Sequence, residues 1–214
     1  MSSSPRVTTV VFDFGGVIIT TITKTIGIIA EGLGCPATQL HPILMGPQHE
    51  SGDHPWHRME RGEIARDDLQ DLVAPLAAAE GITFVGNEFK LLLQDNQFDV
   101  NEYVLEHIAT LRDRGYKTGL LTNGMREFHP RLRTIVPVEL FDAYIDSSMV
   151  GMRKPEPRIF EHTLAELNVT NPAEAVLLDD FMGNIEGAIA MGMRTIHVGD
   201  PRKALEDLEV LLAS

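Results

Sequence analysis

The run Val7–Phe12 constrains the fold more than any other part of the chain. It is β-branched and almost wholly apolar, without the alternation of a strand that has one wet face. Such a run suits a strand buried on both sides, as in a parallel sheet. It stops at Asp13, and the pair Gly15-Gly16 that follows permits a tight turn.

A parallel sheet needs crossover connections, and the sequence beyond Asp99 supplies them. Val100–Arg114 reads as a helix with Gly115 as its stop. Lys117–Leu121 reads as a strand ending at Thr122-Asn123-Gly124, and Ala143–Asp146 as a weaker one. Pro157–Leu167 has the pattern of a helix, and Ala175–Leu178 that of a buried strand ending at Asp179-Asp180. Asn184–Met191 is helical with Gly192 as its stop, Arg194–Val198 is the last strand, and Arg202–Leu212 a terminal helix. Strands alternating with helices predict an α/β fold: a three-layer sandwich around a Rossmann-like parallel sheet. In such sheets ligands gather at the carboxyl ends of the strands, where Asp13, Thr122 and Asp179-Asp180 all fall.

Residues 20–99 have a different texture. Thr21–Leu33 and Arg66–Ala79 read as amphipathic helices, with Gly and Pro clusters at 32–36, 46–55 and 81–86. The stretch carries 12 Asp and Glu against 5 Lys and Arg. It reads as a helical insertion, so the expected organisation is a core of residues 1–19 and 100–214 with a helical cap of residues 20–99.

The whole chain has 31 acidic and 18 basic residues, a formal charge of −13. That balance argues against non-specific binding to nucleic acid or to an anionic membrane. It also means that an anionic ligand needs local positive charge at its site. The apolar stretch from Val7 to Ile29 is interrupted by Asp13 and Lys24, so no membrane span is expected. With the single cysteine Cys35 and no secretory leader pattern, the expected compartment is the cytoplasm. A homodimer is left open.

Each polar cluster has a plain structural reading. Asp13 after a strand could cap a helix, Thr122-Asn123-Gly124 could be a turn, and Arg153-Lys154-Pro155-Glu156-Pro157 could be a solvated loop entering a helix. Asp179-Asp180 is harder to dismiss, because adjacent carboxylates repel unless a cation sits between them. Together the clusters have chemical logic for a phosphoryl group. Asp13 can supply an attacking oxygen. Asp13 and Asp180 can contribute to the hard oxygen cage of Mg²⁺. Thr122 and the amides near Asn123 and Gly124 can hold phosphate oxygens, and Lys154 supplies the positive charge.

In order and context these four segments resemble the haloacid-dehalogenase superfamily of phosphohydrolases: Val10–Val17, Leu120–Gly124, Gly151–Pro157 and Val176–Asn184. The run Trp56–Ile64 is similar to the cap segment in relatives of the phosphatase domain of soluble epoxide hydrolases and of bacterial sugar-phosphate phosphatases. The resemblance implies Mg²⁺-dependent hydrolysis of a small phosphorylated metabolite through an aspartyl-phosphate on Asp13. It implies metal ligation by Asp13, the Gly15 carbonyl and Asp180, with Asp179 beside them. It gives phosphate-binding roles to Thr122, Asn123, Gly124 and Lys154, and a share in catalysis to Lys154.

One position departs from the family. Where most phosphatases of this group carry a second Asp two residues after the nucleophile, this chain has Gly15. That Asp serves as general acid and base, help worth about 10²–10⁴ in rate. The chain therefore acts on esters with good leaving groups, or borrows an acid from His54, His57 or Glu60, or binds a phosphorylated ligand with little turnover. His41, His49, His54 and His57 match no zinc pattern and are expected at the surface or in helix packing. His129 follows the second segment without an evident partner. Dehalogenation is disfavoured, because that branch lacks the paired carboxylates and has an aromatic residue where Gly15 stands. A receiver domain is disfavoured because its acidic pair comes early and its phosphoacceptor in mid-chain.

Overall fold

The computed structural model describes residues 5–93 and 99–213. Residues 1–4, 94–98 and 214, which the expected domain division includes, lie outside the described residues. The chain opens on β1 (Thr9–Phe12), then enters five helices: α1 (Thr23–Leu33), α2 (Ala37–Met45), α3 (Pro55–Glu60), α4 (Leu69–Ala79) and α5 (Glu88–Leu92). Next come α6 (Glu102–Asp113), β2 (Lys117–Thr122), α7 (His129–Ile135), β3 (Ala143–Asp146) and α8 (Ser147–Val150). The chain ends through α9 (Pro157–Glu166), β4 (Ala175–Asp179), α10 (Met182–Ala190), β5 (Arg194–His197) and α11 (Pro201–Leu212).

The five strands form one parallel sheet in the order β3-β2-β1-β4-β5. β1 is central, and its side chains divide between the two faces. Val10 and Phe12 join one core with Leu120, Val176 and Leu178, while Val11 joins the other with Leu121 and Leu177. Every residue of β1 and β4 is buried, the burial that a near-continuous apolar run requires. The chain leaves β1 toward β2 on one side and later returns to β4 on the other. This is the topological switch point at which open α/β sheets bind ligands.

Register lines up the strand ends. Phe12 pairs with Leu120 and with Leu178, so Asp13 and Asp179 emerge side by side, with Thr122 one residue further along β2. The backbone N–H of Asp13 donates to the Leu178 carbonyl at 2.9 Å, carrying the pairing one residue past the strand.

The helices between β1 and α6 have a separate core. Ile26, Leu40, Leu44, Trp56, Met59 and Val73 pack together in it, apart from the two sheet cores. The period of the sequence predicts α1 and α4, with Arg66–Asp68 forming a 3₁₀ turn ahead of α4 rather than its first turn. It misses α2, α3, α5, α7 and α8. Pro42 lies inside α2, and Pro55 stands in the first turn of α3, where its missing N–H costs nothing. A Gly and Pro cluster there reads as loop although a helix begins inside it.

Candidate active site at the carboxyl edge of the sheet

Asp13, Thr122, Lys154, Asp179 and Asp180 converge at the carboxyl edge around the Lys154 ammonium. Lys154 is fully buried, and its Nζ lies 2.8 Å from Asp13 Oδ1, 2.6 Å from Asp179 Oδ2 and 2.9 Å from the Leu121 carbonyl. Its three protons are therefore all engaged. Burial opposes the charge on Lys154, but Asp13 and Asp179 outweigh it and hold the ammonium above its ordinary range.

The carboxylates are not equivalent. Asp179 is fully buried and saturated, since its Oδ1 accepts from the Phe181 N–H at 2.8 Å and from Asn184 Nδ2 at 2.9 Å. Asp180 is only half-buried, yet its Oδ1 is buried with no hydrogen-bond partner among the described residues. Burial pushes the Asp180 carboxyl up to about 7, with Asp179 adding to the rise and Lys154 opposing it. Burial also raises the Asp13 carboxyl well above its usual value, against Lys154 and with help from Asp179 and Asp180.

Oxygens of Asp13, Asp179 and Asp180 lie within 4.8 Å of one another. With all three ionised, the carboxylates exceed the one ammonium by two negative charges, which a divalent cation would balance. The hard oxygen donors and the orphaned Asp180 Oδ1 fit such an ion.

Close approach here depends on Gly16, which has φ +71°. A Cβ on it would stand 2.1 Å from Asp180 Oδ2. Gly15 is the opposite case: a Cβ there meets nothing within 4 Å. Among the described residues, no side chain occupies the Cβ position of Gly15.

The loop after β2 is braced. Asn123 Oδ1 accepts the Lys154 N–H at 2.8 Å, and Asn123 Nδ2 donates to the Lys154 carbonyl at 3.0 Å. The Gly124 N–H donates to Ser147 Oγ at 2.9 Å, and a Cβ on Gly124 would meet Asp146 Oδ1 at 2.6 Å. The Asn123 side chain and the Gly124 N–H are thus bonded to the scaffold. Thr122 is buried and borders the cavity.

The cavity, about 170 Å³, is bordered by Asp13, Gly15, Thr122, Lys154 and Asp180 at one end. Helices of the insertion cover it, and of the three acids suggested by sequence only Glu60 borders it. Glu60 is buried and occupied: its Oε1 accepts from Trp56 Nε1 at 2.7 Å and its Oε2 from Arg153 Nε at 2.6 Å. Burial raises the Glu60 carboxyl, against Arg153. Trp56 belongs to the core of the insertion and also borders the cavity.

The two histidines are held elsewhere. His54 caps α3 by accepting the Trp56 N–H, while its Nε2 lies 3.1 Å from the Ile43 carbonyl. His57 is fully buried and accepts the Gly52 N–H at 3.1 Å.

Sequence reasoning missed three features. Arg153 pairs across to the insertion. Asn184 orients Asp179, and the sequence marks it only as the last residue of the fourth segment. His129 Nδ1 lies 2.8 Å from Asp146 Oδ2 at the end of β3, and nothing near Asp146 in the sequence marks it.

Residues 7–192 match the family described as haloacid dehalogenase-like hydrolase. The chain is similar to acyl-CoA dehydrogenase family member 10 of Mus musculus, 31% identical over 209 residues, 95% of this chain and 19% of that one. It is similar to bifunctional epoxide hydrolase 2 of Rattus norvegicus, 36% identical over 115 residues, 51% of this chain and 21% of that one. The chain thus spans about a fifth of the length of these two relatives. Its fold is shared with a HAD family enzyme of Bacteroides thetaiotaomicron solved with magnesium and inorganic phosphate. There the TM-score is 0.62 at 20% identity, covering 91% of this chain and 96% of that one.

Proposed function

This chain belongs to the haloacid dehalogenase-like hydrolases, and from that premise we propose that it is a Mg²⁺-dependent phosphohydrolase acting on a small phosphate monoester. The observation that carries the reading is the convergence of Asp13, Lys154, Asp179 and Asp180 beside Thr122 at one end of a cavity. The structural relative that holds magnesium and phosphate supports it.

In this reading an Asp13 oxygen attacks phosphorus, the bond from phosphorus to the ester oxygen breaks with that oxygen taking a proton from water, and an aspartyl-phosphate forms. Water then cleaves that intermediate, returning the Asp13 carboxylate and inorganic phosphate. Lys154 holds Asp13 in place and offsets the charge of nucleophile and phosphate, while Thr122 donates to a phosphate oxygen. Asp13, Asp180 and the Gly15 carbonyl would hold Mg²⁺, with Asp179 orienting Lys154 beside them. The ion supplies neutralisation of phosphoryl charge when bound. Residues 20–99 act as a cap that screens the reaction from bulk water, over a core of residues 1–19 and 100–214.

One observation favours a second reading, a phosphate-ligand-binding protein with little turnover. The space at Gly15 is open, and Glu60 and Asp146, the other carboxylates bordering the cavity among the described residues, are both hydrogen-bonded.

Phosphate release from sugar, nucleotide, aryl and acyl phosphates, with Mg²⁺ and with EDTA, tests both. The hydrolase reading expects metal-dependent release that Asp13→Asn abolishes. Equal release by wild type and Asp13→Asn would remove the nucleophile. No release from any ester, with Mg²⁺ still bound, would leave the binding protein.

A further inference from the structure

Beyond the polar residues at the strand ends, the lining of the cavity is largely apolar. Ile22, Met45, Leu92, Met125, Phe128 and Phe181 form its wall. Met45 and Leu92 belong to the core of the insertion, and Ile22, Met125 and Phe181 pack against it. Phe128 packs against the sheet.

The polar groups near this wall are turned onto their own chain. Thr20 Oγ1 accepts the Asp99 N–H at 3.0 Å, Thr21 Oγ1 bonds Thr23 Oγ1 at 3.0 Å, and Gln48 Nε2 donates to the Met45 carbonyl at 2.7 Å. Part of the hydrogen-bonding capacity that a sugar's hydroxyls would use is already taken within the chain.

Charge excludes more. Among the described residues that border the cavity, the ionisable ones are Asp13, Glu60, Asp146, Lys154 and Asp180. Lys154 is the one cation, and all three of its protons are engaged. A second anionic group on the ligand would be desolvated against carboxylates with no cation to receive it.

We infer that the cavity selects a phosphate monoester whose organic group is apolar and uncharged, such as an aryl group. It discriminates against sugar phosphates, nucleotides and phosphorylated acids. The inference rests on the phosphohydrolase reading for its phosphate end, and adds the class of the organic group. Burial of apolar surface gives about fourfold in affinity per methylene-sized unit, so a phenyl group should be felt strongly.

The test measures binding, which does not require turnover. Methylphosphonate, phenylphosphonate and 4-carboxyphenylphosphonate are titrated calorimetrically into the whole chain with Mg²⁺. Phenylphosphonate is expected to bind at least tenfold more tightly than methylphosphonate, and 4-carboxyphenylphosphonate at least tenfold more weakly than phenylphosphonate. Ile22→Asn, or Met125→Gln should the first not fold, is expected to shrink the phenyl advantage to threefold or less. Equal binding of methyl and phenyl compounds, undiminished binding of the carboxylated one, or no binding of any would overturn the inference. Hydrolysis of phenyl phosphate and glucose 6-phosphate separates it from the reading beneath. Faster release from glucose 6-phosphate sinks the apolar selection and keeps the phosphatase. Selective phosphonate binding with no release from either ester keeps the selection and sinks the phosphatase.

Discussion

Arg153 Nε donates to Glu60 Oε2 at 2.6 Å, both side chains buried, joining the residue before Lys154 to the helical insertion 93 positions earlier in the chain. Arg153 Nη1 also donates to the Glu50 carbonyl at 2.9 Å. The insertion is therefore fastened beside the candidate ammonium, and a movement that opens the cavity must part this pair or carry it along.

Breaking the pair leaves a buried guanidinium without its carboxylate. Glu60→Ala is expected to cost about 3–5 kcal/mol, and Glu60→Gln, which keeps the hydrogen-bonding shape, distinctly less. Urea unfolding of the two variants checks this; equal and small losses would show that the pair contributes little.

Gly15→Asp and Gly16→Ala should part company. The first places its side chain in open space and is expected to raise hydrolysis of esters with poor leaving groups by about 10²–10⁴. The second drives a Cβ into Asp180 at a left-handed position and is expected to abolish activity. Steady-state rates on alkyl phosphates read both. Unchanged alkyl rates in Gly15→Asp would mean that another group already provides the proton.

Lys154→Met removes the ammonium from among Asp13 and Asp179. Turnover is expected to fall by at least ~10². With the carboxylates left to repel one another, Mg²⁺ should raise the Tm of the variant by more than that of wild type. A thermal melt with and without the ion decides the point.

His57 gives the fold an acid-side limit. Burial first, then the positive charge of Arg153, lowers its imidazole from 6.5 to about 3. Below about pH 6.5 the unfolded chain takes up a proton that the folded chain refuses. Stability present above that pH is therefore lost as pH falls toward 3, at up to about 1.4 kcal/mol per pH unit for one group. Urea midpoints at pH 7.5 and pH 5 should differ more in wild type than in His57→Gln; the same slope in both would assign the loss to other groups.

The sequence by itself determined the parallel sheet, the presence of a helical insertion with α1 and α4 in it, and the line of polar residues at the strand ends. These follow from short-range pattern: Val10, Val11 and Phe12 are apolar in succession because β1 is covered on both faces, and the run must stop where Asp13 meets the edge. The roles of individual polar groups were not legible. Asp179 and Asp180 are neighbours in sequence, but only the fold turns one into Lys154 and Asn184 and leaves an oxygen of the other unpartnered among the described residues. His57 and Glu60 sit one turn apart on α3, yet Glu60 borders the cavity while His57 is sealed beside Gly52. Only the tertiary structure decided these matters. Hydrogen bonds and desolvation depend on which atoms meet across elements far apart in the chain, and local periodicity carries no record of that.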